Sequence, residues 1–305
     1  MKLQKYKKVS IFPYTCETKS YKLPFVHHSV PTLPYLCIRK TPRAMTTKND
    51  NHTPLKDSID FGSMHIPTLF RKLLIPTVLG MVFSAIFIIT DGIFVGKGIG
   101  SDALAAVNIT APLFLLNTGV ALMFGIGASV VASIHLSHGK PKVARINVTQ
   151  AVIVSSLLLI VYAVAILCNV EQVARLLGSS ERLLPLAAEY MYWFVPFLVF
   201  SALLSSGMFF VRLDGSPNYA MVCNIVPALI NIFLDWLFIY VFRWGMFGAA
   251  LATSLGYIIG ALMILVYLLQ PRHVIRLERI KLSLKSLRLT VRNVGYMMRL
   301  GLSTF

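Results

Sequence analysis

From Pro67 to Gln270 the chain alternates long apolar runs with short polar breaks. The runs cover roughly 69–95, 103–135, 146–169, 184–211, 218–242 and 247–270. A bilayer core needs about 20 apolar residues per helix, so the pattern predicts six membrane-spanning helices. The breaks fall where helix breakers gather: Gly96, Gly98 and Gly100; His138-Gly139-Lys140-Pro141; Gly178-Ser179-Ser180; Asp214-Gly215-Ser216-Pro217; and Arg243-Trp244-Gly245. The second and fourth runs are longer than a straight crossing needs, which predicts tilt or extension beyond the bilayer. Small residues recur in both (Gly119, Gly125, Gly127, Ala128; Ser201, Ser205, Ser206, Gly207). In lipid such faces let helices approach closely.

The flanks read differently. Residues 1–65 hold no apolar run long enough for a signal-peptide core and are rich in Pro, Lys, His and Thr. A disordered basic tail is expected there. Because Met45 opens a polar stretch that would itself serve as a short tail, 1–44 also reads as upstream sequence from an over-early start. At the other end, Val274, Leu277, Ile280, Leu284, Leu287 and Val291 recur at helical spacing opposite Arg and Lys. That predicts an amphipathic helix on the membrane surface, with 271–294 as a cytoplasmic linker. Residues 295–305 then read as the start of a truncated seventh spanning helix, and the chain as the first half of a repeat protein.

Composition supports the membrane reading. The chain is 56% hydrophobic and 13% charged, against about 25% charged in soluble domains. Residues 1–72 carry a net charge of +9 and 271–305 of +7, while 73–270 carry only +1. A nearly neutral apolar middle between basic ends suits a bilayer partner and excludes a nucleic-acid binder, whose basic residues interleave with a polar core. Lys140, Lys142, Arg145, Arg212 and the basic residues after 270 outnumber Lys97, Arg175, Arg182 and Arg243 of the alternate loops. The expected orientation places the N-terminus in the cytoplasm of a multi-pass cell-membrane protein. Cys16, Cys37, Cys168 and Cys223 show neither a disulfide framework nor a zinc-site spacing.

Two acidic residues lie well inside the apolar runs, Asp91 and Asp235. A carboxylate in hydrocarbon costs about 2.5–3.5 kcal/mol on insertion scales, so each needs a reason. Asn231 precedes Asp235 by four residues and shares its helix face. With Thr253, these residues fall at similar depths, in the outer half of the bilayer. Two carboxylates, an amide and a hydroxyl suit a proton or Na⁺, a hard cation that takes oxygen ligands. Each also has a plainer use: Asp91 as a loop cap before Gly92, Thr253 as a hydroxyl bonded to its own backbone. The Asn231–Asp235 pair resists a packing explanation. No GxSxG, HExxH or acidic metal cluster occurs, and His135 and His138 sit at the other edge of the bilayer, so no enzyme is expected and no cofactor beyond a coupling ion.

Ile75-Pro76 followed by ITDGIFVGKGIGSDALAAVNITAP resembles the first span and following loop of the multidrug and toxic compound extrusion (MATE) family. NIFLDWLFIY and GMFGAALATSLGY resemble its fifth span and the opening of its sixth. The resemblance covers residues 66–305, with 66–270 as the family's N-terminal lobe. It implies an all-α six-helix bundle, one lobe of a twelve-helix, two-lobed antiporter that expels organic cations and drugs against H⁺ or Na⁺. It also implies that Asp91, Asn231, Asp235 and Thr253 form the cation site, a possible Na⁺ site, and that a bend at Pro76 accompanies transport. The C-terminal lobe would be a missing partner. Two other readings remain at this stage: a lipid-linked sugar flippase of related architecture, which would be expected to line its cavity with Arg and Lys, and a non-transporting fragment.

Overall fold

The computed structural model describes residues 65–278 and 284–302, the side chains of 284–289 excepted. The expected N-terminal tail therefore lies outside the described residues, apart from His65. Helices account for nearly everything else: α1 (Ile66–Gly98), α2 (Ser101–Ser137), α3 (Pro141–Leu167), a short α4 (Val170–Leu176), α5 (Leu184–Phe194), α6 (Leu198–Leu213), α7 (Pro217–Asp235), α8 (Gly245–Leu269) and α9 (Leu284–Leu302). A 3₁₀ turn, Val195–Phe197, joins α5 to α6, and a π-helical turn, Trp236–Val241, extends α7. Six units are long and apolar enough to cross a membrane: α1, α2, α3, α5 with α6, α7 with its π turn, and α8. These match the six runs read from the sequence to within a few residues.

Local chemistry sets the boundaries. Pro141 and Pro217 open α3 and α7, where a missing N–H costs nothing. Gly139 and Gly215 take positive φ (68° and 87°) just after α2 and α6, a backbone state that stops a helix and that side chains disfavour. Pro196 interrupts the α5–α6 crossing. Within that interrupted stretch the Trp193 carbonyl accepts the Ser254 hydroxyl of α8 at 3.2 Å, which fixes α8 against α5.

α2 packs against α3, α6 and α9; α8 packs against α5, α6 and α7; α1 lies along α7. Ile86, Ile89 and Ile93 of α1, and Leu157, Val161 and Val164 of α3, remain exposed on the outside of the bundle. Lipid tails are as apolar as these side chains and satisfy them without protein cover. Buried polar pairs add specificity inside: Asn117 Nδ2 of α2 donates to Ser201 Oγ of α6 at 2.8 Å.

The segment after α8 departs from the expected surface helix over 274–292. Residues 271–278 form an irregular strap, and α9 is described from Leu284 onward. The reason is tertiary. His273 and Ile275 are buried, and the strap's backbone bonds to the bundle rather than to itself: Ile275 N to Asp214 Oδ1 (2.6 Å), Glu278 N to Thr149 Oγ1 (2.9 Å), and Arg145 Nε to Val274 O (2.8 Å). α9 also runs unbroken through residues 294–295, where linker and seventh helix were expected to meet, and lies against α2 and α3. The α2–α3 and α6–α7 loops gather with this segment at one end of the bundle, hereafter the strap end.

Candidate functional site

Far from the strap, α1 and α7 bring two acids together. Asp91 lies two turns before the end of α1, and Asp235 is the last α-helical residue of α7. Their carboxyl groups interact directly. Asp235 is 0% exposed and Asn231, one turn earlier, is 1% exposed. Apart from that contact between the acids, Asp91 Oδ1, both Asp235 carboxyl oxygens and both side-chain polar atoms of Asn231 are buried with no hydrogen-bond partner. Buried polar atoms are paired in the great majority of cases, so five orphans from three adjacent residues mark a place built for something else. A shared proton or a small hard cation satisfies such oxygens, so the residues present fit H⁺ or Na⁺.

The π-helical turn starts directly after Asp235. Such turns widen the backbone ladder and recur at functional sites. α8 supplies the facing wall. Gly256 lets it come close: a Cβ there would stand 3.2 Å from Asn231 Cβ and 3.4 Å from the Pro227 carbonyl. Thr253, three residues earlier, is buried, and its hydroxyl donates to the Ala249 carbonyl at 3.1 Å. That bond is the plainer use of Thr253, whose hydroxyl also meets Tyr190. Among the described residues there is no cluster of three or more His, Cys, Asp or Glu.

Two tyrosines complete the site and were not singled out by sequence reasoning. Tyr190 of α5 is 4% exposed and sits among Thr253, Asp91 and Asp235; Tyr257 of α8 lies near Asp91. Tyr257 also stacks on Phe114 with centroids 6.0 Å apart, and Tyr190 on Phe194 at 5.1 Å. Both tyrosines look like ordinary apolar-run aromatics in sequence; only the packing of α5 and α8 around the acids distinguishes them.

Toward the strap end lies a cavity of about 180 Å³, lined by Ser84, Phe87, Phe114, Met208, Asn224 and Asn231 among others. None of its lining residues is charged. Asn231 belongs to both places, lining the cavity and standing next to the acids. Met208 lines this cavity, whereas Met123 and Phe210 are core residues and Met81 faces outward. Pro76 is buried within α1, about four turns from Asp91, and α1 is helical on both sides of it.

Six apolar helices of spanning length, with a buried acid pair and an uncharged cavity between them, make this a multi-pass helical membrane protein. The MatE family pattern matches residues 76–237, and the chain belongs to that family of transporters; it is not an enzyme. It is 27% identical over 227 residues to the multidrug export protein MepA of Staphylococcus saprophyticus, covering 73% of this chain and 48% of that protein. It is 29% identical over 226 residues to an FAD transporter of Shewanella oneidensis, covering 72% of this chain and 49% of that one. A crystal structure of MATE in complex with MaD3S is 26% identical and superposes with a TM-score of 0.64 over 77% of this chain and 53% of that one. The bent form of the Vibrio cholerae MATE transporter VcmN, at 22% identity, shares the fold with a TM-score of 0.66 over 78% of this chain and 54% of that one. The chain spans about half the length of the relatives it matches.

Proposed function

We propose that this chain is one lobe of a cation-coupled efflux antiporter of the cell membrane, its N-terminus cytoplasmic, in which Asp91, Asn231, Asp235 and Thr253 take up H⁺ or Na⁺ and the neighbouring cavity takes an organic cation or drug. The single observation that carries this reading is the orphaned acid pair sharing Asn231 with the cavity. A ligand at one place changes what the other binds when both favour the same conformation, and Asn231, common to both places, is the residue we assign to that coupling. Pro76 is the bend at which α1 reshapes as the cation comes and goes, because a helix proline leaves one backbone carbonyl without its usual donor.

The cavity's size supports a second lobe. About 180 Å³ is below the ~300–1,000 Å³ of sites that enclose a drug-sized ligand. Half of an enclosing site fits that volume, the other half coming from six further helices. Cargo chemistry follows from the lining. No Lys or Arg lines the cavity, which argues against a lipid-linked pyrophosphate or another strongly anionic cargo.

The test is efflux of a fluorescent organic cation by this chain joined to the C-terminal half of the S. saprophyticus relative, against the chain alone. Gradient-dependent efflux is expected only from the two-lobed protein. Efflux by the chain alone as a monomer would overturn the half-site reading, and no efflux from a well-expressed two-lobed protein would overturn the function.

A further inference from the structure

Three helices bring polar side chains to the cavity beside the acids: Ser84 from α1, Ser205 from α6, and Asn224 and Asn231 from α7. None of these four has a hydrogen-bond partner among the described residues. Elsewhere in the spans a hydroxyl turns back on its own helix. Thr90 donates to the Ile86 carbonyl at 2.8 Å, Thr110 to that of Val107 at 2.7 Å, and Ser206 to that of Ala202 at 2.8 Å. That back-bond is the usual local use of a Ser or Thr inside a helix. Ser205, the neighbour of Ser206, lines the cavity and forgoes it.

Room is made for Asn224 in particular. Gly80 of α1 faces it, and a Cβ there would stand 3.4 Å from Asn224 Nδ2. Asn224 and Asn231 are two turns apart on one face of α7, so they are separated by about 10 Å along its axis. The lining also carries Phe114 and Tyr257, stacked with centroids 6.0 Å apart and planes 21° apart. A compact ammonium calls for a carboxylate, and the lining has none. A planar cation whose charge is spread over fused rings is attracted by aromatic faces, and a neutral amide reads hydrogen-bond groups at its edge.

Taking the cavity as the cargo site, the reading on which this inference rests, we propose that the cargo is a flat aromatic cation with N–H donors on its edge and that Asn224 is the residue that selects for them. Asn224 Oδ1 accepts an edge N–H, the rings lie against Phe114 and Tyr257, and Ser84 and Ser205 offer further oxygens. A cargo without edge donors leaves the Asn224 carbonyl desolvated and unpaired, and that asymmetry is the source of selection. Asn231 remains with the acids, so the residue that selects cargo is separate from the one that couples it to the ion.

The experiment is equilibrium dialysis of the full chain, purified in detergent, against two dyes of the same ring system and charge. One is 3,6-diaminoacridine, whose amino groups carry N–H donors; the other is its tetramethyl derivative, acridine orange, whose amino groups carry none. Wild type should bind the diamino dye about tenfold more tightly, the effect of one net hydrogen bond near the top of its usual range. Asn224→Leu keeps the bulk and removes the amide, so it should bring the two affinities to within about twofold. Asn224→Gln, which keeps the amide, should retain part of the preference. Size-exclusion profiles report folding. A preference that survives Asn224→Leu is steric and would overturn the selecting role, as would equal binding of both dyes by wild type; either result leaves the cavity a cargo site. Binding of neither dye by the well-folded wild-type chain would overturn the cargo reading itself, and this inference with it. If Asn224→Leu fails to fold, Asn224→Ala decides: the preference must fall there through weaker binding of the diamino dye, and a fall through tighter binding of acridine orange counts against the proposal.

Discussion

Asp91 and Asp235 lie against each other where α1 runs along α7, and apart from one another no hydrogen-bond partner reaches Asp91 Oδ1 or either oxygen of Asp235. Asp214, in the same bundle, is engaged by Tyr267, His273 and Ile275 N–H. Burial alone therefore does not separate the acids of this protein. Satisfaction does: one carboxylate is bonded to three groups of the fold, and the other two have no partner outside their own pair.

That contrast predicts opposite responses to the same change. Asp235→Asn should abolish ion-driven efflux in the two-lobed protein yet leave the unfolding temperature no lower than wild type, because no donor loses its acceptor. Asp214→Asn should lower stability by about 1–3 kcal/mol, because it strips charge from a carboxylate that three buried groups depend on. Thermal unfolding in detergent, with efflux at a fixed imposed gradient, reads both. A destabilised Asp235→Asn protein, or one that transports like wild type, would return the acid pair to a structural role. Asn231→Ala, which removes one neutral oxygen, should weaken cation affinity more mildly.

Gly256 offers a way to disturb the site without touching a polar group. A Cβ there stands 3.2 Å from Asn231 Cβ, tight enough that α7 or α8 must give. Gly256→Val should cost about 1–3 kcal/mol by overpacking and should reduce efflux beyond what its stability loss explains, since Asn231 is displaced. Pairing it with Asn231→Ala keeps both close atoms, the residue-231 Cβ and the Pro227 carbonyl, so it should recover little of the stability and none of the transport. Full recovery of transport would mean that Asn231 only packs.

The six spans and the inward acids were legible because both follow from one-dimensional rules. An apolar run of helical length needs no partner to be recognised, and a carboxylate within one stands out against hydrocarbon. Thr253 was legible only as a hydroxyl at a matching depth. Tyr190, Tyr257 and the cavity side chains Ser84 and Asn224 look like ordinary helix residues until α1, α5, α7 and α8 are assembled around them. Asp214 reads as a turn residue in Asp214-Gly215-Ser216-Pro217, and nothing local foretells that His273 will fold back onto it. The helix expected over 274–292 is present from Leu284 but not over 274–278, for the same reason: periodicity favoured a helix from Val274, and tertiary hydrogen bonds to Asp214 and Thr149 hold those residues as a strap.

Orientation is open to a direct check. A reporter fused after Gly139, in the loop beside the strap, should report the cytoplasm, and one after Gly178 the external face. Gly139 and Gly178 lie at opposite ends of α3, so the two fusions must disagree with each other in any membrane-spanning arrangement. The reverse assignment would put the acid pair nearer the cytoplasm and invert the direction in which the coupling ion drives export.

The last prediction concerns the ion itself. A ligand that binds only the folded protein stabilises it by RT ln(1 + [L]/Kd), so Na⁺ at ten times its Kd adds about 1.4 kcal/mol. Replacing choline chloride by NaCl at constant ionic strength and pH should therefore raise the unfolding temperature of the wild-type chain. The site lies within one lobe, between α1, α5, α7 and α8, so the effect should appear without a second lobe. Asp235→Asn should lose the rise, because a neutral amide in place of one carboxylate removes the charge that offsets the cost of stripping water from the cation. Thr253→Val should lose only part of it, since it removes one neutral oxygen and keeps the side chain's volume. An equal rise in wild type and Asp235→Asn would take Asp235 out of the site. No rise in wild type, with gradient-driven efflux intact in the two-lobed protein, would make the proton the coupling ion.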